Sequence, residues 1–295
     1  MSFDPAQLAA LDAVLRLGSF DAAAQALHVT PSAISQRIRA LEERSGTALV
    51  IRGTPCTGTP AGRRIAHHAS DVALLEAGLA RDLAREAQPA RLRMAVNSDS
   101  LETWFMPALA NQDLLFDLVI DDQAHSADWL RRGEVSAAIT DHARPVQGCD
   151  AHRLGMMRYT ATCAPDFHQR HFAGGITAES LARAPMLQFD AKDAIQSDWM
   201  RGVCGHPLHP PTHRLPSTHG FTEAARLGIG WGLNPDSLVA RDIKEGRLVA
   251  LLPDHPLEVT LYWQVNRLVS RALDPLSRAI RAAAARALVQ IPPER

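Results

Sequence analysis

The stretch LGSFDAAAQALHVTPSAISQRIRALEER, residues 17–44, decides the fold of the first part of this chain. Ser19 is a suitable N-cap for a short helix, and small alanines follow it, so another helix can approach closely. Val29 then stands at a buried turn position. Thr30 and Pro31 are the start signal of a second helix, since proline suits the first helical position. The pattern predicts a helix-turn-helix unit.

The second helix of this unit is expected to have two different faces. Its apolar residues recur at helical spacing and predict a buried stripe: Ala33, Ile34, Ile38 and Leu41. The opposite face carries hydroxyl, amide and guanidinium groups, which reach phosphates and base edges when a helix lies in a major groove. The candidate DNA contacts are Thr30, Pro31, Ser32, Ser35, Gln36, Arg37, Arg39 and, from the loop that follows, Arg52.

An amphipathic helix that carries arginines is often only a solvated surface, so the neighbouring sequence has to be weighed. The apolar run at residues 48–51 and the loop GTPCTGTPAG indicate a short hairpin, a wing beside the second helix. Between residues 30 and 64, six arginines face two glutamates, whereas the whole chain has a formal net charge of −1. This local excess of positive charge predicts binding to phosphate.

The sequence TPSAISQRIRALEERSGTALVIR, residues 30–52, resembles the winged helix-turn-helix of LysR-type transcriptional regulators. It departs from the commoner family pattern at Gln36 and Arg37, where Arg-Gln or Lys-Gln is usual, and at residues 49–52. Both departures resemble the ArgP/LysG (IciA) subgroup. The likeness covers essentially the whole length through AVNSDSLETWFMPAL at 95–109, LRRGEV at 130–135, FDAKD at 189–193 and LYW at 261–263.

Length and composition limit the class of protein. With 295 residues and 46% hydrophobic content, the chain can bury the cores of two or three domains. It has neither an apolar run of about 18 residues nor a basic N-terminal region, so we expect a cytoplasmic protein with no membrane partner. The four cysteines lack C-x-x-C spacing and are predicted to be reduced thiols: Cys56, Cys149, Cys163 and Cys204.

A long helix is predicted from Pro60 to about Glu86, because Thr59 and Pro60 repeat the start signal. Its apolar residues form a seam at steps of three, four or seven: Ile65, Val72, Leu75, Leu79 and Leu83. Spacing alone leaves open whether this seam pairs with a second chain or packs on its own domain. The resemblance implies a linker that makes a homodimer or homotetramer, whose heads read half-sites about 34 Å apart.

Beyond residue 88, short apolar runs alternate with helical stretches, and this alternation predicts a parallel α/β sheet. The expected fold class is α+β multidomain: a winged helix-turn-helix (1–59), a linker helix (60–88) and an effector domain (89–295). The resemblance implies a two-lobed α/β domain like that of periplasmic binding proteins. Lobe I is expected at about 91–157 and 266–295, and lobe II at about 158–265. Ligands of such sheets bind beyond the carboxyl ends of strands, here in the cleft.

The candidate effector contacts follow predicted strands. Residues 97–100 open a helix whose N–H and hydroxyl groups suit a carboxylate, although such residues are also ordinary N-caps. Acids at strand ends suit a basic side chain, whose charge needs a desolvated partner, but acids are also common in solvated loops. The candidates are Asn97, Ser98, Asp99, Ser100, Trp104, Asp121, Asp122 and Asp190. For Trp104, and for Trp231 as a second aromatic candidate, packing in the core is the alternative.

Other chemistries have weaker support. Cys204, His206, His209 and His213 are zinc-ligand types, but no second compact ligand pair follows at finger spacing. No hydrolase elbow, zinc-protease motif or P-loop occurs, and GIGWG at 228–232 lacks the rest of a dinucleotide fingerprint. We therefore expect no enzyme, no metal and no cofactor.

The combined expectation is a regulator that binds double-stranded promoter DNA and responds to a small effector. The resemblance implies lysine or arginine as the effector, genes of basic amino-acid export or metabolism as targets, and RNA polymerase as a partner. A different effector on the same scaffold and a stand-alone solute-binding protein remain the alternatives.

Overall fold

The computed structural model of the chain describes residues 3–85 and 89–290. In this part the helices are α1 (Pro5–Leu17), α2 (Phe20–Ala26), α3 (Pro31–Ser45), α4 (Pro60–Asp82), α5 (Ser98–Ser100), α6 (Met106–Leu109), α7 (Ser126–Arg132), α8 (Pro165–Phe172), α9 (Ala178–Arg183), α10 (Ile195–Cys204), α11 (Thr218–Arg226), α12 (Asp236–Lys244) and α13 (Asp274–Ala287). A π-helical segment, Leu101–Phe105, joins α5 to α6. The strands are β1 (Val50–Ile51), β2 (Thr57–Gly58), β3 (Ala90–Val96), β4 (Leu114–Ile120), β5 (Ala137–Thr140), β6 (Cys149–Cys163), β7 (Met186–Gln188), β8 (Thr212–Arg214), β9 (Gly232–Pro235), β10 (Val249–Ala250) and β11 (Leu257–Asn266).

The N-terminal unit is the predicted winged helix-turn-helix. Helices α1, α2 and α3 pack around a common apolar core, and β1 and β2 form an antiparallel hairpin beside them. The hydroxyl of Thr30 accepts a hydrogen bond from the N–H of Ala33 at 3.2 Å, so α3 begins where the sequence predicts. Glu42 ties α3 to the wing, because its Oε1 accepts from the N–H of Leu49 at 2.8 Å.

The long helix α4 begins at Pro60, with the hydroxyl of Thr59 accepting from the N–H of Gly62 at 3.0 Å. A Cβ on Gly62 would lie 1.9 Å from the carbonyl oxygen of Leu49, so only glycine lets the helix start this close to the wing. The helix ends at Asp82, before the predicted end near Glu86. Residues 86–88 of the predicted linker lie outside the described part.

The C-terminal domain, which is expected from the sequence to bind the effector, is built on a seven-stranded sheet with the order β10-β6-β11-β5-β3-β4, and β9 also pairs with β6. Strands β3, β4 and β5 are parallel, but the remaining pairs are antiparallel. Within this sheet, the prediction of parallel strands therefore holds for β3, β4 and β5, and lobe II adds a separate parallel pair, β7-β8. The difference arises because β6 and β11 form one long antiparallel pair that belongs to both lobes.

Two lobes lie on either side of these crossing strands, as predicted. Lobe I contains β3, β4 and β5, and α13 returns to it and packs on α6. Lobe II contains the parallel pair β7-β8, the short strands β9 and β10, and helices α8 to α12. Among the helices of the two described ranges, none combines the length and the apolar character that a membrane span needs.

Candidate DNA-binding surface and effector cavity

Helix α3 turns its polar face away from the domain core. Ile34, Ile38 and Leu41 are buried, whereas seven of the eight candidate DNA contacts are exposed. The eighth, Arg37, is half-buried at the flank of the helix. With about 100° between successive helical residues, Gln36 lies opposite the buried stripe and Arg37 lies beside it. Gln36 is therefore at the centre of the polar face, and Arg37 is at its flank.

The two remaining arginines of the candidate set already have partners on the protein surface. Arg39 Nε lies 2.9 Å from Glu43 Oε1, and both side chains are strongly exposed. Such a surface pair is worth about 0.3–0.5 kcal/mol, so Arg39 can exchange it for a phosphate at little cost. The guanidinium of Arg52 lies 5.2 Å from the ring centroid of Phe20, at the base of the wing.

A cavity of about 280 Å³ lies in the cleft between the lobes. Six of the eight candidate effector residues line it: Asn97, Ser98, Asp99, Asp121, Asp122 and Asp190. They come from the ends of β3 and β4 in lobe I and from the segment after β7 in lobe II. This placement agrees with the expectation that the carboxyl ends of the strands meet at one cleft.

Ser100 and Trp104 do not line the cavity, and we remove both from the set of effector contacts. Ser100 is fully buried, and Trp104 is 4% exposed and packs edge-on against Phe105 with the ring centroids 5.6 Å apart. The reason is the helical turn, which carries Ser100 about 200° around the axis from Ser98. Trp231 is also a core residue, packed against Trp199 with the centroids 5.5 Å apart.

Several lining residues were missed by the sequence reasoning. Lys192, Asp193 and Gln196 come from the loop and helix after β7, and Thr218 comes from the start of α11. Lys192 and Asp193 belong to the motif FDAKD, which carries part of the family resemblance. The sequence therefore contained a signal that these two residues belong to the site. Thr218 had no such signal, because nothing local indicates that α11 points its first residue at the other lobe.

Asp99 connects the lobes at the base of the cavity. Its Oδ2 accepts from the hydroxyl of Tyr159 at 2.9 Å, and its Oδ1 accepts from the hydroxyl of Thr218 at 2.8 Å. Burial of the carboxyl group raises the pKa of Asp99 above its ordinary value, although these two hydrogen bonds oppose the shift. The side chain therefore has a clear structural function within the cavity.

The other acids of the cavity differ in their electrostatic state. Burial raises the pKa of Asp193 to about 6, against hydrogen bonds from the N–H groups of Phe189 and Ile195. Burial also raises the pKa of Asp122. In Asp121 burial acts in the same direction, but hydrogen bonds from the indole of Trp129 and from Lys192 outweigh it and lower the pKa.

Asn97 is a polar side chain that lacks an internal partner. It is 3% exposed, and within the described structure neither its Oδ1 nor its Nδ2 makes a hydrogen bond. Leaving such a group unsatisfied costs about 1–3 kcal/mol, and a ligand that bonds to it recovers that energy. Asn97 lines the cavity and therefore points to a ligand with polar groups.

The cysteine and histidine residues of 204–213 do not form a metal centre. Cys204 ends α10, His213 lies in β8, and His206 and His209 are exposed between them. Across residues 3–85 and 89–290, no group of three or more His, Cys, Asp or Glu side chains is arranged to hold a metal ion.

Comparisons with known proteins cover both parts of the chain. Residues 5–63 match the family described as bacterial regulatory helix-turn-helix protein, lysR family, and residues 85–285 match the LysR substrate binding domain. The chain is 44% identical over 284 residues to the HTH-type transcriptional regulator LysG of Mycobacterium tuberculosis, covering 95% of this chain and 93% of that protein.

Two solved structures extend the likeness to the fold. The crystal structure of ArgP from Mycobacterium tuberculosis has a TM-score of 0.84 at 42% identity, covering 99% of this chain and 100% of that one. Full-length LysG from Corynebacterium glutamicum with bound effector Arg has a TM-score of 0.70 at 36% identity, covering 98% and 100%. The similarity therefore spans the helix-turn-helix, the linker and both lobes.

Proposed function

The chain belongs to the LysR family of bacterial helix-turn-helix transcriptional regulators, and on that premise we propose that its effector is a basic amino acid, arginine or lysine. The observation that carries the proposal is the composition of the interlobe cavity. Its lining has five carboxylic acid side chains, from Asp99, Asp121, Asp122, Asp190 and Asp193. Such a lining favours a cationic guest over a neutral or anionic one.

The relatives support the same choice of ligand. The LysG structure from Corynebacterium glutamicum is described with arginine as its bound effector, and the regulators named LysG and ArgP match this chain over nearly its full length. The proposal needs groups for both ends of the amino acid. The acids serve the side-chain cation, while the free amide of Asn97 and the hydroxyl of Ser98 serve the α-carboxylate.

For the DNA-binding part, we propose that α3 lies in a major groove. Ser32, Ser35, Gln36 and Arg39 face the bases or their phosphates, with Arg37 at the flank. Thr30 and Pro31 start the helix at the groove edge, and the wing brings Arg52 to the backbone. The proposed domain ranges are 1–59 for DNA binding, 60–88 for the linker and 89–295 for the effector.

Linker helix α4 is the proposed dimer contact. Leu75, Leu79 and Leu83 are 44%, 59% and 60% exposed, so this end of the apolar seam stays open to solvent in the described structure, whereas Ile65 packs on the helix-turn-helix core. Ile65 and Val72 are half-buried, and Leu74 faces the effector domain core. A second copy that covers the seam produces a homodimer, and contacts between dimers produce a homotetramer. We also propose the cytoplasm as the location and RNA polymerase as a partner.

The proposed mechanism couples the cavity to the arrangement of the DNA-binding heads. Contacts between the lobes cross the cleft, so a ligand that prefers the closed cleft changes the relative orientation of the lobes. This reorientation changes the arrangement of the dimers, and with it the spacing and bending of operator DNA. The effector acts only through its different affinities for the two arrangements.

A thermal-shift screen over the twenty amino acids tests the proposed effector. A ligand at 100 times its Kd adds about 2.7 kcal/mol of stability, which is easily detected. We expect arginine and lysine to raise the Tm and the other amino acids to leave it unchanged. A shift with a different amino acid only would refute the basic effector. Promoter gel shifts run in parallel test the alternative of a stand-alone solute-binding protein. Such a protein would not shift the promoter DNA.

A further inference from the structure

Lys192 is the one lysine or arginine among the described residues that line the cavity. It lies in lobe II, between β7 and α10, and its Nζ is 3.0 Å from Oδ1 of Asp121 in lobe I. This ion pair crosses the cleft. The chain thus already places an ammonium group of its own on a carboxylate of the proposed effector site.

Asp121 is held in place without the help of Lys192. Its Oδ2 accepts from the indole N–H of Trp129 at 2.8 Å, and its Oδ1 accepts from the N–H of Asp122 at 2.9 Å. The side chain of Asp121 is 13% exposed, whereas that of Lys192 is 52% exposed. The carboxylate is therefore a fixed acceptor, and the lysine is a long, half-exposed side chain that can withdraw into solvent.

Three other acids of the cavity are bonded by groups that cannot leave in this way. Asp99 accepts from Tyr159 and Thr218, which belong to the packed framework. Asp193 accepts from the backbone N–H groups of Phe189 and Ile195, and Asp190 accepts from those of Lys192 and Asp193. Asp121 differs because one of its partners is a cation on a flexible stem.

We propose that Lys192 occupies, in the effector-free protein, the position that the side-chain cation of the effector takes at Asp121, so that binding exchanges one cation for another. This inference rests on the proposed basic effector and adds a specificity-determining residue to it. A cationic amino acid replaces the ammonium group and keeps Asp121 paired. A neutral analogue that displaces Lys192 leaves the carboxylate without a cation, which is costly in a partly buried site.

Titration calorimetry on the full-length protein tests the sign of this effect. The variant Lys192→Met is expected to bind L-arginine about 5-fold more tightly, since a competing ion pair worth about 1 kcal/mol is lost. L-citrulline, the neutral analogue of arginine, cannot replace the ammonium group at Asp121, and we expect it to bind the unaltered protein more weakly than L-arginine does. Lys244→Met is the matched control, because Lys244 is the other lysine of the chain and is exposed on α12.

A spectroscopic experiment observes the exchange itself. The chain has two lysines, so reductive methylation with ¹³C-formaldehyde gives two assignable dimethyl-lysine signals in addition to that of the N-terminus. Methylation keeps the positive charge of the ammonium group. Saturating arginine is expected to move the Lys192 signal towards that of exposed Lys244, and Lys192→Arg identifies the signal by removing it.

The outcomes separate the two proposals. If the unaltered protein binds neither arginine nor lysine, the proposed effector is wrong and the exchange fails with it. If arginine binds but Lys192→Met weakens binding, Lys192 contacts the effector carboxylate and the exchange is wrong. An unchanged Lys192 signal at saturating arginine likewise contradicts the exchange, and it shows that any gain in Lys192→Met is a general charge effect.

Discussion

The hydroxyl of Ser136 donates a hydrogen bond to Oδ1 of Asp71 over 2.7 Å, and this bond joins lobe I to the linker helix. Nε2 of His67 lies 3.4 Å from the same hydroxyl and 3.7 Å from the other carboxylate oxygen of Asp71. All three side chains are buried. A movement of lobe I therefore either moves α4 as well or breaks this buried polar cluster. The cluster thus couples lobe I to the linker helix.

We expect Ser136→Ala to lower the free energy of unfolding by about 1.5–3 kcal/mol, the range for a buried hydrogen bond to a charged group. Urea unfolding measures the loss. Ser237→Ala is the control, because Ser237 is exposed on α12 and its replacement is expected to cost less than about 0.5 kcal/mol. Equal effects of the two variants would show that the cluster does not hold the linker.

The buried side chain of His67 is expected to make the free energy of unfolding depend on pH. Burial lowers its pKa below the ordinary value of 6.5, with Asp71 and Glu134 opposing the shift and Arg93 adding to it. Because the folded state disfavours the charged form, the contribution of His67 is present above pH 6.5 and is lost as the pH falls below that value. We expect His67→Gln to reduce the difference in unfolding free energy between pH 7.5 and pH 5.5. An unchanged difference would assign the pH dependence to other groups.

Gln36 and Arg37 are expected to have different effects on DNA binding. Gln36 points outward from the centre of the polar face, so Gln36→Ala should relax base preference at one operator position by about 1–3 kcal/mol. Arg37 lies at the flank, so Arg37→Ala should weaken binding to all sequences and lower the salt slope by about one. Fluorescence anisotropy on operator and scrambled duplexes at several salt concentrations measures both. The reverse pattern would mean that the helix lies in the groove at a different angle.

The ionisation of Asp193 is expected to make the affinity for the effector depend on pH. Its pKa is raised to about 6 by burial, so acid converts it to the neutral form before most carboxyl groups. A cationic effector favours the ionised form, and its affinity is therefore present above pH 6 and falls as the pH drops through that value. We expect arginine affinity, measured by calorimetry between pH 7.5 and 5, to follow this course, and Asp193→Asn to flatten it. The same decline in the variant would exclude Asp193 as its source.

Local signals predicted the start of several helices correctly. Thr30 and Thr59 each precede a proline, and each accepts the hydrogen bond that starts its helix. Helices α8, α10 and α12 were not predicted, and none of them has a side-chain N-cap hydrogen bond. Without a cap, a short helix in the second lobe gives no clear start signal, and its existence depends on packing against the sheet.

Six residues of the cavity lining could be predicted because they follow strands, whereas the lining residues that distant parts of the chain bring together could not. Asp121 and Asp122 were found because they follow an apolar run, which the chain shows locally. The pairing of Asp121 with Lys192 joins residues 71 positions apart, and no periodicity encodes it. Trp104 was misplaced for a related reason, since the sequence does not say which side of the helix faces the cleft.

We infer that a basic amino acid in the cleft changes the way the helix-turn-helix heads contact DNA. DNase I footprinting on promoter DNA, with and without saturating arginine, tests it most directly, with Asp121→Asn as the variant that weakens the cation site. We expect arginine to alter the footprint of the unaltered protein, and we expect the variant to need much more arginine for the same change. An identical footprint with and without arginine, at concentrations where calorimetry shows the cavity to be filled, would contradict it.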